Sequence, residues 1–284
     1  MAGAAPELTG AAGPGPFVTR RHYLHGGAAR IWRSRDHRRG LRRAYRPLRD
    51  GTWKPEVLNV WIGWGFAFGS LLFVLGSVLS LAPSLVPGLD AGQANAVYFI
   101  GSIFFTVAAY LQLFQAANAG PLPDENHPPG ERVLIGWQPR EIGWLSCFLQ
   151  FIGTLLFNLS TFAALASVSG WFWQELSVWV PDVLGSVLFL ASGYLAFIEA
   201  CHRFLAWKPG DLSWWVVSAN LMGCIAFMIS AVYAFIPETT VEEINGTASV
   251  AWCLIGAAGF LAGSLLMLME GRKAETQTAL APAA

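Results

Sequence analysis

Three polar side chains stand at matching positions in a chain otherwise poor in charge. Gln115, Glu199 and Glu270 each lie 14 residues after a glycine, at Gly101, Gly185 and Gly256. Three residues further on come Asn118, His202 and Lys273. Gln115, Glu199, Glu270 and His202 thus form a candidate polar ring at one end of a bundle, of the kind that coordinates a cation or relays a proton. Ionisable groups in apolar spans are costly to bury and point to function by default. The competing account is structural. Glu199 has His202 at i+3 and Arg203 at i+4, a favourable order for a helical ion pair. Long side chains near a span's end also snorkel toward the headgroups. The structural account is preferred, with transport or proton relay next and metal binding last. Glu-x-x-His occurs only once, whereas dimetal carboxylate bundles repeat it on a second helix. No metal and no cofactor is assigned. No Ser/His/Asp set, HExxH or paired Asp lies in the spans, so the chain is not read as an enzyme.

Gln112, Gln150, Asn158 and Asn220 are further polar residues within apolar stretches. Gln150 and Asn220 each precede a glycine by three residues, where the first hairpin has Phe66. Interhelical hydrogen bonds, worth about 0.6 kcal/mol each on average, are the preferred role; a shared binding site is the alternative. Cys147, Cys201, Cys224 and Cys253 fall in apolar runs without a C-x-x-C and read as small buried residues.

The elements that must position these groups carry one repeated motif. Each apolar stretch holds Gly, a small residue, two more residues and Phe: Gly69 with Phe73, Gly101 with Phe105, Gly153 with Phe157, Gly185 with Phe189, Gly223 with Phe227 and Gly256 with Phe260. Within successive pairs the glycines are 32, 32 and 33 residues apart. Three copies of one hairpin account for this. Lipid tails are as apolar as Leu, so helices in a bilayer associate through close contact at small residues. A Phe four residues on shares the glycine's face and fills the space beside a neighbour's glycine. Pore-lining or hinge glycines are the alternative.

The Gly-Ser-x-x-Phe pattern of Gly69 to Phe73 and Gly101 to Phe105 resembles the small bacterial YrhK-like membrane domain. The later hairpins resemble it more loosely, with Cys224 and Ala257 in place of the serine. The resemblance implies a bacterial inner membrane and brings no activity, cofactor or catalytic residue.

Composition agrees with a membrane setting. The 284 residues are 54% hydrophobic and 13% charged, against about 25% charged in soluble domains. Spans of roughly 20 apolar residues are expected at about Leu58–Leu81, Ala96–Ala117, Ile142–Val168, Val183–Phe204, Ser213–Ile236 and Ser249–Met269. The fold class is therefore all-α integral membrane: a six-helix bundle of three repeated transmembrane hairpins at 57–120, 140–208 and 212–271. A disordered tail follows at 272–284, and Trp171, Trp173 and Trp179 crowd an outer loop. Twelve of the 18 Lys and Arg precede residue 57, and the other six fall in connections or ends on the same side. The positive-inside rule puts both termini in the cytoplasm.

Residues 1–56 read as a basic, largely disordered arm with a short surface helix. Arg33, Arg35, Arg38, Arg39, Arg42 and Arg43 are expected to face lipid and hold anionic headgroups, at about 1 kcal/mol per basic residue. Without a folded module or aromatic platform, nucleic acid is not expected as a partner; the bilayer is, and a protein partner is not identified. The expected function is a non-catalytic scaffold, sensor or partner-binding module. The alternative is a small transporter or channel using Glu199 and Glu270 at its cytoplasmic mouth.

Overall fold

The structure is a computed structural model that describes residues 6–41, 54–86, 88, 91–120, 122, 131–166, 170–239 and 243–279. It opens with a sheet rather than a disordered arm. Strands β1 (Glu7–Ala12), β2 (Arg20–His25) and β3 (Ala28–Arg33) pair antiparallel in that order. Gly26 and Gly27 both have positive φ, at 56° and 78°, and His25 pairs with Ala28. This is the two-residue hairpin whose twist suits the flanking strands. The register sets Arg21 opposite Trp32 and Tyr23 opposite Arg30, so these side chains share one face. Tyr23 and Trp32 are buried there, with the Arg21 guanidinium 5.8 Å from the Trp32 ring centre. The expectations of a largely disordered arm, over residues 6–41, and of an all-α chain are corrected: the arginine-rich arm holds enough aromatic surface to fold. Helix α1 (Ser34–Arg39) follows directly. Gly40, in the left-handed conformation at φ 65°, ends it by donating its N–H to the carbonyls of Asp36 and His37.

Six further helices are long and apolar enough to cross a membrane. They are α2 (Pro55–Leu81), α3 (Ala91–Ala117), α4 (Ile142–Ala163), a composite of α5 (Trp171–Gln174), a π-helical turn (Glu175–Trp179) and α6 (Val180–Cys201), then α7 (Leu212–Tyr233) and α8 (Gly246–Ala279). Consecutive helices pack side by side, and α8 packs on α2, which closes the bundle. On α2 the exposed face is Val57, Val60, Trp61, Trp64, Phe68, Leu71 and Leu75, an apolar stripe at helical spacing that requires an apolar surrounding.

Two expected boundaries are corrected. The fourth span does not start near Val183 after a loop holding Trp171, Trp173 and Trp179; the helical segment runs from Trp171 to Cys201, through Pro181. Proline withholds one N–H, and the π-helical turn just before it absorbs the broken ladder. Helix also continues through Ala279 instead of giving way to disorder at 272, because the Ala, Glu, Lys, Arg and Gln there are good helix formers.

The motif glycines sit at the helix crossings. A Cβ at Gly69 would lie 2.8 Å from the Phe105 ring and 3.0 Å from the Gly101 carbonyl oxygen; one at Gly101 would lie 2.9 Å from Phe73 and 3.1 Å from the Gly69 oxygen. Gly153 and Gly185 face Phe189, Phe157 and each other's carbonyls, and Gly223 and Gly256 do the same with Phe260 and Phe227. All six motif phenylalanines belong to one core cluster. Their rings meet within hairpins (Phe157–Phe189, 4.9 Å between centres) and between them (Phe105–Phe260, 5.7 Å; Phe73–Phe227, 6.0 Å).

Candidate functional site

Helix α1 is short, yet it touches α2, α3, α4 and α6. Arg35, Arg38 and Arg39 stand at i, i+3 and i+4 and therefore share one face. That face is turned into the mouth of the bundle: the three side chains are 5%, 6% and 3% exposed. Their expected place on lipid headgroups is corrected. They pair instead with two buried carboxylates. Arg33 is half-buried, and Arg42 and Arg43 lie outside the described residues.

The carboxylates are those of the matched ring positions. Glu199, fully buried on α6, accepts from Arg38 Nη2 at 2.8 Å, from Arg38 Nε at 3.1 Å and from the Ser34 hydroxyl at 2.7 Å. Glu270 on α8 receives Arg35 through both guanidinium Nη atoms, Arg39 through Nη1, and the Ser213 hydroxyl. Gln115 on α3 joins through Asn59. The Asn59 Oδ1 accepts from Gln115 Nε2 at 3.0 Å and from Arg39 Nε at 3.3 Å, while Asn59 Nδ2 donates to the Arg39 carbonyl at 2.8 Å. Each of the three aligned positions thus holds part of one arginine helix. Charge-assisted, bidentate contacts of this kind are the strong class of hydrogen bond.

Burial alone would pull the Arg35 guanidinium down, but the Glu270 charge more than offsets it and leaves the group above its ordinary pKa. Arg38 is raised in the same way by Glu199. Arg39 ends lower, at about 10, because burial and the charges of Arg35 and Arg38 outweigh Glu270. All three stay protonated at physiological pH.

His202 is not part of the ring. It closes α6 in the left-handed conformation at φ 59°, half-buried. Burial and the cations of Arg20, Arg33 and Lys208 lower its pKa to about 4, so it stays neutral. The expected partner of Glu199, Arg203, is also displaced: it is exposed, and Arg38 takes its place. Gly143, a residue the sequence did not single out, makes room for the pair. A Cβ there would meet the Glu199 carboxylate and lie 2.7 Å from Arg38 Nε.

Beneath the arginines is a cavity of about 60 Å³. Gln112, Gln150 and Asn220 line it, with Ser192 and Ser264, and Phe189 and Phe260 floor it. Among the described residues, the expected interhelical hydrogen bonds of Gln150 and Asn220 are not formed. Asn158 does make one, donating to Thr106 Oγ1 at 2.8 Å. Beyond the phenylalanines lies a second cavity of about 170 Å³, bounded by Phe73, Phe157 and Phe227 and lined by Asn95, Tyr98, Asp182 and Ser249. The six rings thus form a septum between two polar spaces. Among the described residues no group of three or more His, Cys, Asp or Glu is placed to hold a metal, and the four cysteines are unpaired.

No family model, no curated protein and no solved structure matches this chain.

Proposed function

We propose that this chain is a non-catalytic module of a bacterial inner membrane, in which a cytoplasmic N-terminal unit is latched into the inner mouth of a six-span bundle. Its output, as sensor or partner-binding element, is whether that latch is closed. The observation that carries this is the buried cluster of Arg35, Arg38 and Arg39 with Glu199 and Glu270. Buried ion pairs add little net stability over apolar packing of the same volume, and their best-attested use is in register and switching. A mouth that only needed sealing would be sealed as well by Leu and Phe. Arginines, once released, regain water and the anionic headgroup layer, which offsets part of the cost of opening. The one-sided basic residues support cytoplasmic termini. The reciprocal glycine–phenylalanine crossings support three copies of one hairpin.

The septum favours a second reading, a gated conduit: two polar cavities divided by six phenylalanines fit a hydrophobic constriction that opens by wetting. Helix α1 would then be its inner plug.

Spin labels at Gly10, on open surface of β1, and at Leu134, 70% exposed beside the bundle, test the latch. The parent should give one narrow distance distribution. Glu270→Gln should add a longer, broader population. An unchanged distribution in a folded Glu270→Gln protein refutes the latch. Ion flux through liposomes bearing Glu270→Gln, but not the parent, would favour the conduit.

A further inference from the structure

The cavity under α1 carries a charge imbalance that the latch does not use. Arg35, Arg38 and Arg39 form its roof, and no Asp or Glu lines it among the described residues. Within the cluster two carboxylates pair with three guanidiniums, so these pairs leave one positive charge over. Two guanidinium nitrogens, Arg38 Nη1 and Arg39 Nη2, are buried without a hydrogen-bond partner. Stranding a buried charged donor costs more than stranding a neutral one, and native interiors rarely leave such a group unmet. The remaining walls supply further donors, the side-chain amides of Gln112, Gln150 and Asn220; the Ser192 and Ser264 hydroxyls on the same walls already donate to the Ser146 and Phe260 carbonyls.

We infer that this cavity is a binding site for a small monovalent inorganic anion of chloride size, seated between the guanidiniums of Arg38 and Arg39 and the cavity amides. Size sets the class. At about 60 Å³, against roughly 10–15 Å³ for one water on the same measure, the space holds one such ion with a few waters. A lipid headgroup or an organic acid does not fit. Sign sets it too. A cation would meet three guanidiniums with no carboxylate on the wall, whereas an anion neutralises the excess charge and accepts from donors that otherwise have no partner. The anion in turn screens the mutual repulsion of Arg35, Arg38 and Arg39, so its occupancy and the docking of α1 support each other.

The test uses the purified full chain, first in gluconate, an anion too large for the cavity, and then titrated with chloride, bromide or nitrate at constant ionic strength. The thermal midpoint should rise saturably with the small anions, and radioactive chloride should be retained by the protein. Arg39→Gln removes the excess charge and Gln150→Leu removes a wall donor while keeping every ion pair. Each should raise the half-saturating chloride concentration by at least about tenfold, the loss expected when one charge-assisted hydrogen bond goes. Should Arg39→Gln fail to fold, Gln150→Leu alone decides. A midpoint equally indifferent to gluconate and chloride means the cavity holds only water and overturns the site. So does a Gln150→Leu protein that titrates like the parent, since the response is then general screening. The spin-label distances report the latch separately, so a failed anion site and a failed latch are told apart.

Discussion

Arg38 and Glu199 meet in full burial across 161 residues of sequence, and the physics of such a pair makes an asymmetric prediction. Removing one partner leaves an unpaired charge inside the protein; removing both, with apolar replacements, does not. Arg38→Met should therefore cost about 3–5 kcal/mol of stability, and Arg38→Met combined with Glu199→Leu should recover most of it. Denaturation midpoints of both proteins in detergent check this. A double variant no better than the single one would show that the two side chains do not act as a pair. The alignment of Gln115, Glu199 and Glu270 was legible in the sequence because the motif glycines set a common origin. Their partners were not. Arg35, Arg38 and Arg39 are three of twelve basic residues in the arm, and a polybasic stretch has the same composition whether it lies on headgroups or enters a bundle. The helical spacing of the three, closed by Gly40, was the available signal. Gly143 gave none, since its only purpose is to leave room for a contact between two remote segments.

At the scale of elements, the spans were legible because about 20 apolar residues have few other uses. The arm's sheet was not: its strands are rich in Arg and Ala, and only the Gly26-Gly27 pair between two short runs marked the hairpin. The π-helical turn before Pro181 was hidden for a related reason, since proline is a sound breaker signal unless the local ladder rearranges. The glycine–phenylalanine crossings carry the element-level prediction. At Gly153 a Cβ would lie 2.6 Å from the Phe189 ring and 3.2 Å from the Gly185 carbonyl oxygen. Gly153→Ile must push α4 and α6 apart, and overpacking of this sort typically costs about 1–3 kcal/mol. Leu159→Ile, at a position 57% exposed on the same helix, should melt like the parent. Equal melting of the two variants would rule out a packing role for the motif and return attention to glycines lining a pore.

At the scale of the whole molecule, the arm, Glu199 and Glu270 must lie on one side of the membrane for α1 to dock. The chain meets this with an even number of spans and with charge. The connections after α2, α4 and α7 hold no Lys or Arg, while those after α3 and α6, with the adjoining helix ends, hold Arg132, Arg140, Arg203 and Lys208. Orientation is set mainly by Lys and Arg in short loops and near span ends. The docked arginines should therefore be surplus to topology: with residues 1–41 deleted, eleven basic residues remain, all in segments at the arm's end of the spans. Reporter fusions at residue 1 and at residue 284 of the full chain should both read cytoplasm. In the chain lacking residues 1–41, the reporter at 284 should still read cytoplasm, while the thermal midpoint falls because Glu199 and Glu270 are left buried and unpaired. The two readouts separate the two uses of arginine in this protein. A C-terminal reporter that moves to the far side in the shortened chain would mean that the arm itself orients the bundle. Its burial in the mouth would then be a consequence of topology rather than a latch laid over it.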